Sequence, residues 1–519
     1  MLDPRREVVT LRISRPSTER ELEDDNNKIM PNLNNLTIKK ASDLLEKGEI
    51  SSVELTRYYL DRIKKYDEKI GSFLLVSAEY ALKKAAEADA RTVAGKRLSQ
   101  VDGIPCAVKD VIATEDIETT AASKILEGFN PPFSATVIKK IEDAGAIILG
   151  KLNCDEFAMG SSTENSAYKA CRNPWNLERV PGGSSGGSAA SLAADFCVFT
   201  FGTETGGSIR QPASMCNVVG LKPTYGRVSR YGSIAYGSSL DQIGPVAKCT
   251  EDIETIMKII SGKDILDSTT VDHPIPTTYD SQPNSLTIGL PKEYFGEGLD
   301  PEVKNIIRSA IEKYEEMGAK IVEISLPHTD YAVSTYYLLS MAEASSNLSR
   351  YDGIKYGASV VKLENYKVES LADVYFKTRG TYLGDEQKRK SILGAFELSA
   401  GYYDAYYRKA QKVRALIKKD FDEAFEKVDC IMCPVSPFPA FKIGEKKDDP
   451  LSMYLADIFT ISANLGGICA LSLPVGFNSE NLPVGLQIMG KNFEEGKILA
   501  IARLLEDVTD LTDQWPELK

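Results

Sequence analysis

The sequence predicts an α/β fold in which a mixed, mostly parallel central sheet is covered by helices on both faces. Three observations carry that reading. From Asp102 onward, apolar runs of strand length alternate with amphipathic helical stretches, the order that builds a sheet buried on both sides. No internal repeat and no linker rich in Pro, Gly or Ser interrupts the chain after residue 37. The composition, 43% apolar and 26% charged, is that of a soluble globular protein and too apolar for a disordered one. The 519 residues therefore read as one large domain, although length alone suggests about three.

Residues 1–36 are polar, with Arg5, Arg6, Arg12, Arg15 and Arg20 ahead of the acidic run Glu21 to Asp25. They predict a disordered extension; a transit peptide, which is poor in acidic residues, fits less well. From Thr37 the chain becomes periodic. Ile38, Ala41, Leu44 and Leu45 mark a short helix, and Ser51-x-x-Glu54 is a capping box opening another with Leu55, Tyr59 and Ile63 on its face. Residues 79–94 are helical by their Ala, Lys and Glu content. Strands are expected at 146–149, 196–201, 286–290, 321–324, 430–434 and 471–475, with helices near 136–144, 188–194, 301–317 and 404–427. The uncharged stretch 458–479 is long enough to span a bilayer, but Asn464, Gly466, Gly467 and Pro474 predict a core helix followed by a core strand. No membrane association and a cytoplasmic location are expected, with an organellar one left open by the extension.

Charge and rare residues exclude several chemistries. Lys+Arg 62 against Asp+Glu 74 gives a formal charge of −12, without the global electrostatic footprint of a nucleic-acid binder. There are only two histidines, His273 and His328, so a His-based nucleophile triad or a His-rich metal site has almost nothing to be built from. Nine cysteines suggest no disulfide framework. Cys430 and Cys433 form a CxxC with no second metal-binding pair, and read as small apolar fillers of a buried strand.

Three segments carry chemistry. Pro181-Gly-Gly-Ser-Ser-Gly-Gly-Ser188 precedes an Ala-rich helix, so its backbone amides can converge on an anion or a polarised oxygen. A phosphate-binding or merely flexible turn is the plain alternative, and the lysine of a P-loop is missing. Gly202-Thr-Glu-Thr-Gly-Gly-Ser-Ile-Arg-Gln-Pro212 follows an apolar strand. There the backbone N–H groups of Thr205, Gly206, Gly207 and Ser208 can form an oxyanion hole, the alternative being a strand-ending turn with a solvated serine. A serine needs a base, and Lys109 lies inside the apolar run Gly103 to Ile112. Desolvation there presses its pKa down from ~10.4. No single segment is decisive.

Together, Lys109, Ser184 and Ser208 in their glycine-rich settings resemble the amidase signature family, which uses a Ser–cis-Ser–Lys triad. The resemblance implies that Ser208 is the nucleophile, Ser184 the relay serine with a cis peptide bond, and Lys109 the base. It runs from about residue 37 to the C-terminus, so 37–519 is expected to be a single amidase-signature domain. Matches at 157–164, 222–232, 237–245, 345–353 and 401–407 are similar to the branch that serves as A subunits of tRNA-dependent amidotransferases. That likeness implies a glutaminase handing ammonia to partner subunits B and C, with aminoacyl-tRNA held mainly by B. It implies no cofactor in this chain, and ATP and Mg used by the assembled complex on Glu-tRNA(Gln), Asp-tRNA(Asn) or both.

Free glutamine is a zwitterion, so its pocket needs a cation and an anion. Similarity places these on Arg389 and Asp457, with Met159, Gly160 and Ser161 along the same pocket; from spacing alone both charges read as exposed helix-surface residues. The sequence departs from the family pattern at Glu204, where Asp is common, and at Lys390, where a second Arg often follows Arg389. It also departs at 119–123, which lack a common cysteine. A stand-alone amidase for another small carboxamide, a non-catalytic scaffold and a phosphate pocket remain as competing readings.

Overall fold

Eleven strands form one sheet: β1 (Phe73–Val76), β2 (Pro105–Lys109), β3 (Ile147–Leu152), β4 (Phe199–Glu204), β5 (Val219–Lys222), β6 (Gln242–Ala247), β7 (Thr287–Pro291), β8 (Lys320–Ile324), β9 (Cys430–Pro434), β10 (Cys469–Phe477) and β11 (Pro483–Gly490). Their order is β1-β3-β2-β4-β6-β5-β10-β11-β9-β7-β8. This computed structural model describes residues 31–273, 282–364, 366–447, 449–509 and 514–518. Residues 1–30 of the expected extension lie outside them, whereas Leu33 and Leu36 already pack into the core.

Every residue of β2, β3, β4, β5, β6, β9 and β11 is buried, so the centre of the sheet is covered on both faces. The first helices are α1 (Ile38–Glu46), α2 (Ser52–Ile70), α3 (Ala78–Val93) and α4 (Thr136–Asp143). The capping box of α2 is formed: Glu54 N–H donates to Ser51 Oγ at 3.1 Å, and Ser51 N–H donates to Glu54 Oε2 at 2.7 Å. Next come α5 (Gly186–Ala193), α6 (Arg210–Cys216), α7 (Thr250–Ile260) and α8 (Pro301–Glu316). A helical layer follows, made of α9 (Ala332–Leu348), α10 (Leu371–Tyr382), α11 (Asp385–Glu397) and α12 (Tyr407–Ala424); α11 and α12 both pack on α9. The chain closes with α13 (Pro450–Tyr454), α14 (Ile461–Gly466) and α15 (Glu495–Glu506).

The mixed sheet is as expected, but it is not mostly parallel. Of its neighbouring pairs, β2–β3, β2–β4, β7–β8 and β7–β9 are parallel, and the other six are antiparallel. The reason lies in strands that the apolar-run reading passes over. β5 joins β6, and β10 joins β11, without a named helix between them, so the chain returns antiparallel instead of crossing over. β6 carries Gly244 and Pro245, which mask it as a strand.

The stretch 458–479 contains α14 and β10, a core helix followed by a core strand. All nine cysteines are free, with Cys430 and Cys433 buried in β9. Among the described residues no helix is long and apolar enough to cross a membrane.

Candidate active site

β2 and β4 run parallel, with Val108 opposite Phe201, so Lys109 and the loop after Glu204 emerge at the same end of the sheet. Between them lies the turn leading into α5. Its Gly183–Ser184 peptide bond is cis. Gly183 itself is required by close approach, since a Cβ there would sit 2.4 Å from Asp155 Oδ2.

Lys109 is fully buried, and its Nζ lies 2.7 Å from Ser184 Oγ, 2.9 Å from Ser185 Oγ and 3.4 Å from the Thr203 carbonyl. Ser185 spends its own hydroxyl proton on that carbonyl at 3.0 Å, so towards Lys109 it can only accept. A neutral amine has two N–H bonds and one lone pair. With the N–H bonds on Ser185 and Thr203, the lone pair is left for the Ser184 hydroxyl. Burial lowers the Lys109 pKa to about 8, against the partial opposition of Cys154, Asp155, Asp241 and Glu204.

Burial alone does not single out this lysine. Lys151 and Lys222 are equally buried, with pKa values lowered by desolvation to about 8 and about 7. Lys151 meets Thr114, Thr119 and the Ile112 carbonyl, whereas Lys222 meets Gln242 and carbonyl oxygens. Only Lys109 reaches the serine turn.

Ser208 is tied to that turn through its backbone, the Ser185 N–H donating to the Ser208 carbonyl at 3.1 Å. Its side chain lines a cavity of about 640 Å³. The hydroxyls of Ser184 and Ser208 are not hydrogen-bonded to each other, and the Ser208 hydroxyl has no partner among the described residues. The backbone N–H groups of Thr205, Gly206, Gly207 and Ser208 likewise find no acceptor among the described residues, as donors awaiting an oxyanion would. Gly207 has φ +145, a conformation that L side chains rarely adopt.

Glu204 holds this loop from beneath. Its Oε2 accepts from the N–H groups of Ile209 and Arg210 at 3.0 and 3.1 Å, and its Oε1 accepts from Arg210 Nε at 2.9 Å. Burial pushes its carboxyl up, but the Arg210 charge and hydrogen bonds hold it below the usual range. Glu204 thus closes a buried ion pair with Arg210 across the serine loop.

The cavity also carries charge of both signs. Asp457 is buried on its wall, its Oδ2 accepting from Ser161 Oγ at 2.5 Å while Oδ1 has no hydrogen-bond partner. A Cβ on Gly207 would lie 3.1 Å from that free oxygen, which places it beside the serine loop. Burial raises the Asp457 pKa to about 7. Gly160 and Ser161 line the cavity; Met159 is fully buried and is not on its wall.

Arg389 lines the cavity too, but its side chain is 44% exposed and is paired with Glu386. The buried cation is its neighbour Lys390, 4% exposed. Lys390 Nζ donates to Tyr236 Oη at 3.0 Å, lies 3.4 Å from Glu386 Oε1, and sits 4.8, 5.7 and 6.0 Å from the rings of Tyr236, Tyr337 and Tyr454. Burial would lower its pKa, yet Tyr236 and Glu386 raise it well above the ordinary value, so it stays charged. Sequence reasoning gave no site role to Lys390, noted only as a departure from the family pattern, or to Ser185, each adjacent to a residue it did select. A signal for Lys390 was present: 386, 390 and 394 recur at helical spacing on the buried face of α11.

The arrangement can therefore activate a serine by a neutral amine, receive an oxyanion, and hold a zwitterion. Neither histidine lines the cavity: His273 stacks on Phe493 and His328 pairs with Asp420.

A family model described as Amidase matches residues 54–499. The A subunit of glutamyl-tRNA(Gln) amidotransferase from Geotalea daltonii is 54% identical over 478 residues, covering 92% of this chain and 97% of that protein. The protein of the same name from Desulfatibacillum aliphaticivorans is 52% identical over 490 residues, covering 94% and 100%. Among solved structures, the glutamyl-tRNA(Gln) amidotransferase A subunit from Thermotoga maritima aligns with a TM-score of 0.78 at 41% identity over 94% of this chain and 99% of that one. The native peptide amidase of Stenotrophomonas maltophilia aligns at 0.76 and 28% identity, over 93% and 98%. The chain belongs to the amidase family, on the branch formed by the glutamyl-tRNA(Gln) amidotransferase A subunits.

Proposed function

We propose that this chain is the glutaminase subunit of a tRNA-dependent amidotransferase, supplying ammonia for the amidation of Glu-tRNA(Gln). The observation that carries the reading is the Lys109–Ser184 contact beneath a cavity whose wall holds the buried cation Lys390 and the buried carboxylate of Asp457 with one oxygen unpartnered. Glutamine fits that cavity with its α-carboxylate toward Lys390 and its α-ammonium toward the free oxygen of Asp457. Arg389, given the carboxylate role by resemblance, serves from the rim.

As Ser208 Oγ attacks the carboxamide carbon, Ser184 accepts its proton and passes its own to Lys109. The carbonyl oxygen becomes an oxyanion held by the N–H groups of 205–208, each such donor being worth ~10²–10³ in rate. The proton returns through Ser184 to the departing nitrogen, and ammonia leaves a Ser208 ester. Water, deprotonated by the same relay, hydrolyses that ester to glutamate. Substrate binding supplies the alignment of Ser208 with Ser184. Partner subunits B and C, the ATP and Mg²⁺ that activate the acyl group, and a cytoplasmic setting belong to the same reading.

Ser208→Ala should abolish ammonia release from glutamine while leaving the fold intact, checked by a glutaminase assay of the purified chain with and without its partner subunits. Ammonia release at the wild-type rate would overturn the nucleophile assignment. Lys390→Ala should raise KM for glutamine far more than for an amide lacking the α-carboxylate, and more than Arg389→Ala does. Wild-type turnover of simple amides with none of glutamine would favour a stand-alone amidase instead.

A further inference from the structure

The solvent face of α11 is charged in its first turns, at Asp385, Lys388 and Arg389, and apolar beyond them. Glu386, Gln387, Lys390, Ser391 and Gly394 point inward, which leaves Ile392, Leu393 and Phe396 outside at helical spacing, Ile392 being 70% exposed. The loop that follows extends the patch with Tyr402 and Tyr406, whose rings lie 4.3 and 5.9 Å from Phe396. An amphipathic helix normally turns such residues inward, and a contiguous exposed patch of this kind marks an interaction site.

Lys409 and Lys412 follow Tyr406 at helical spacing in the first turns of α12, and neither has an ion-pair partner among the described residues, in a chain of net charge −12. Ile392 and Leu393 offer no face for base stacking, and the rings of Phe396, Tyr402 and Tyr406 are packed against one another, so the patch suits protein side chains better than RNA. The relatives are named as subunits, which calls for at least one permanent interface.

We propose that the outer face of α11, with Tyr402 and Tyr406, is the docking surface for a partner amidotransferase subunit that presents an apolar face edged by carboxylates. This rests on the function proposed above. The same helix carries Glu386, Arg389 and Lys390 on the cavity wall, so a partner seated on α11 bears directly on the glutamine pocket.

The test co-expresses the full chain with the B and C subunits of its own source, comparing wild type with the Ile392→Asp/Phe396→Asp double variant and with Lys409→Glu/Lys412→Glu. The apolar variant should lose co-purification, with at least a ten-fold rise in Kd, while its glutaminase activity without partners stays within two-fold of wild type. The charge variant should slow association, an effect that 0.5 M salt reproduces in the wild type. Wild-type affinity in the apolar double variant would overturn the surface. So would a variant that keeps its partner subunits but loses tRNA, since the patch would then be an RNA site. If the wild type hydrolyses glutamine yet binds neither of the two, the docking proposal fails while the glutaminase reading stands; if it does not hydrolyse glutamine, the function itself fails.

Discussion

Lys109 acts as a base only while neutral, and burial places that threshold at about 8. Asp457 attracts an ammonium only while ionised, above about 7. Both losses lie on the acid side. We expect kcat/KM for glutamine to fall about ten-fold per unit as the pH drops from about 8 to 7, and more steeply below that. The profile of kcat should keep only the Lys109 limb, because a bound ammonium keeps Asp457 ionised. Asp457→Asn should remove the steeper part, and Lys109→Ala should abolish turnover at every pH; profiles of the three proteins check both. A profile flat down to pH 6 would remove Lys109 as the base. Lys109 and Ser184 were legible in the sequence as an apolar-flanked lysine and a serine between glycines. Ser185 was not, because its role comes only from the direction of the Thr203 carbonyl across the site.

At the scale of elements, the pocket depends on how closely α11 seats on α9. Gly394 makes that contact: a Cβ there would stand 2.0 Å from the Met341 carbonyl oxygen. Gly394→Ala should cost ~1–3 kcal/mol by overpacking. It should also raise KM for glutamine, since Glu386 and Lys390 ride on the displaced helix, with little change in the reaction of Ser208 toward a small acylating reagent. Thermal unfolding and steady-state kinetics check the two halves. α11 was foreseen only as a helix bearing Arg389, without bounds, because its apolar residues face solvent and spoil the amphipathic pattern; α1 and α3 bury theirs and were read close to their bounds, and α2 was read at its start. The strands made of simple apolar runs, β3, β4, β7, β8, β9 and β10, were likewise legible. β5, β6 and β11, interrupted by glycine or proline, were not.

For the whole molecule, the shortage of histidine excludes imidazole chemistry, and the structure places both histidines away from the cavity. His273→Ala/His328→Asn should leave glutamine hydrolysis within about two-fold of wild type, the size of a change that touches no reacting atom. A hundred-fold loss measured on folded protein would contradict the amine-based mechanism. The sheet positions the site at this scale: parallel β2 and β4 deliver Lys109 and the Ser208 loop to one end, and the antiparallel centre carries β5, β10 and β11, against which α6 packs.

The amino-acid sequence by itself determined the two serine turns, the lysine that accompanies them, the alternation of strands and helices, and the family they resemble, because each is a local pattern of glycine, apolar run or cap. Only the tertiary structure decided which of several buried lysines meets the serine turn, which of two adjacent cations is buried in the cavity wall, and which way the strands run. Those outcomes depend on where remote segments meet. Lys109 needs Ser184 and Thr203 from other loops, and Lys390 stays charged inside the protein because Tyr236 and Tyr454, far apart in the chain, join Glu386 around it.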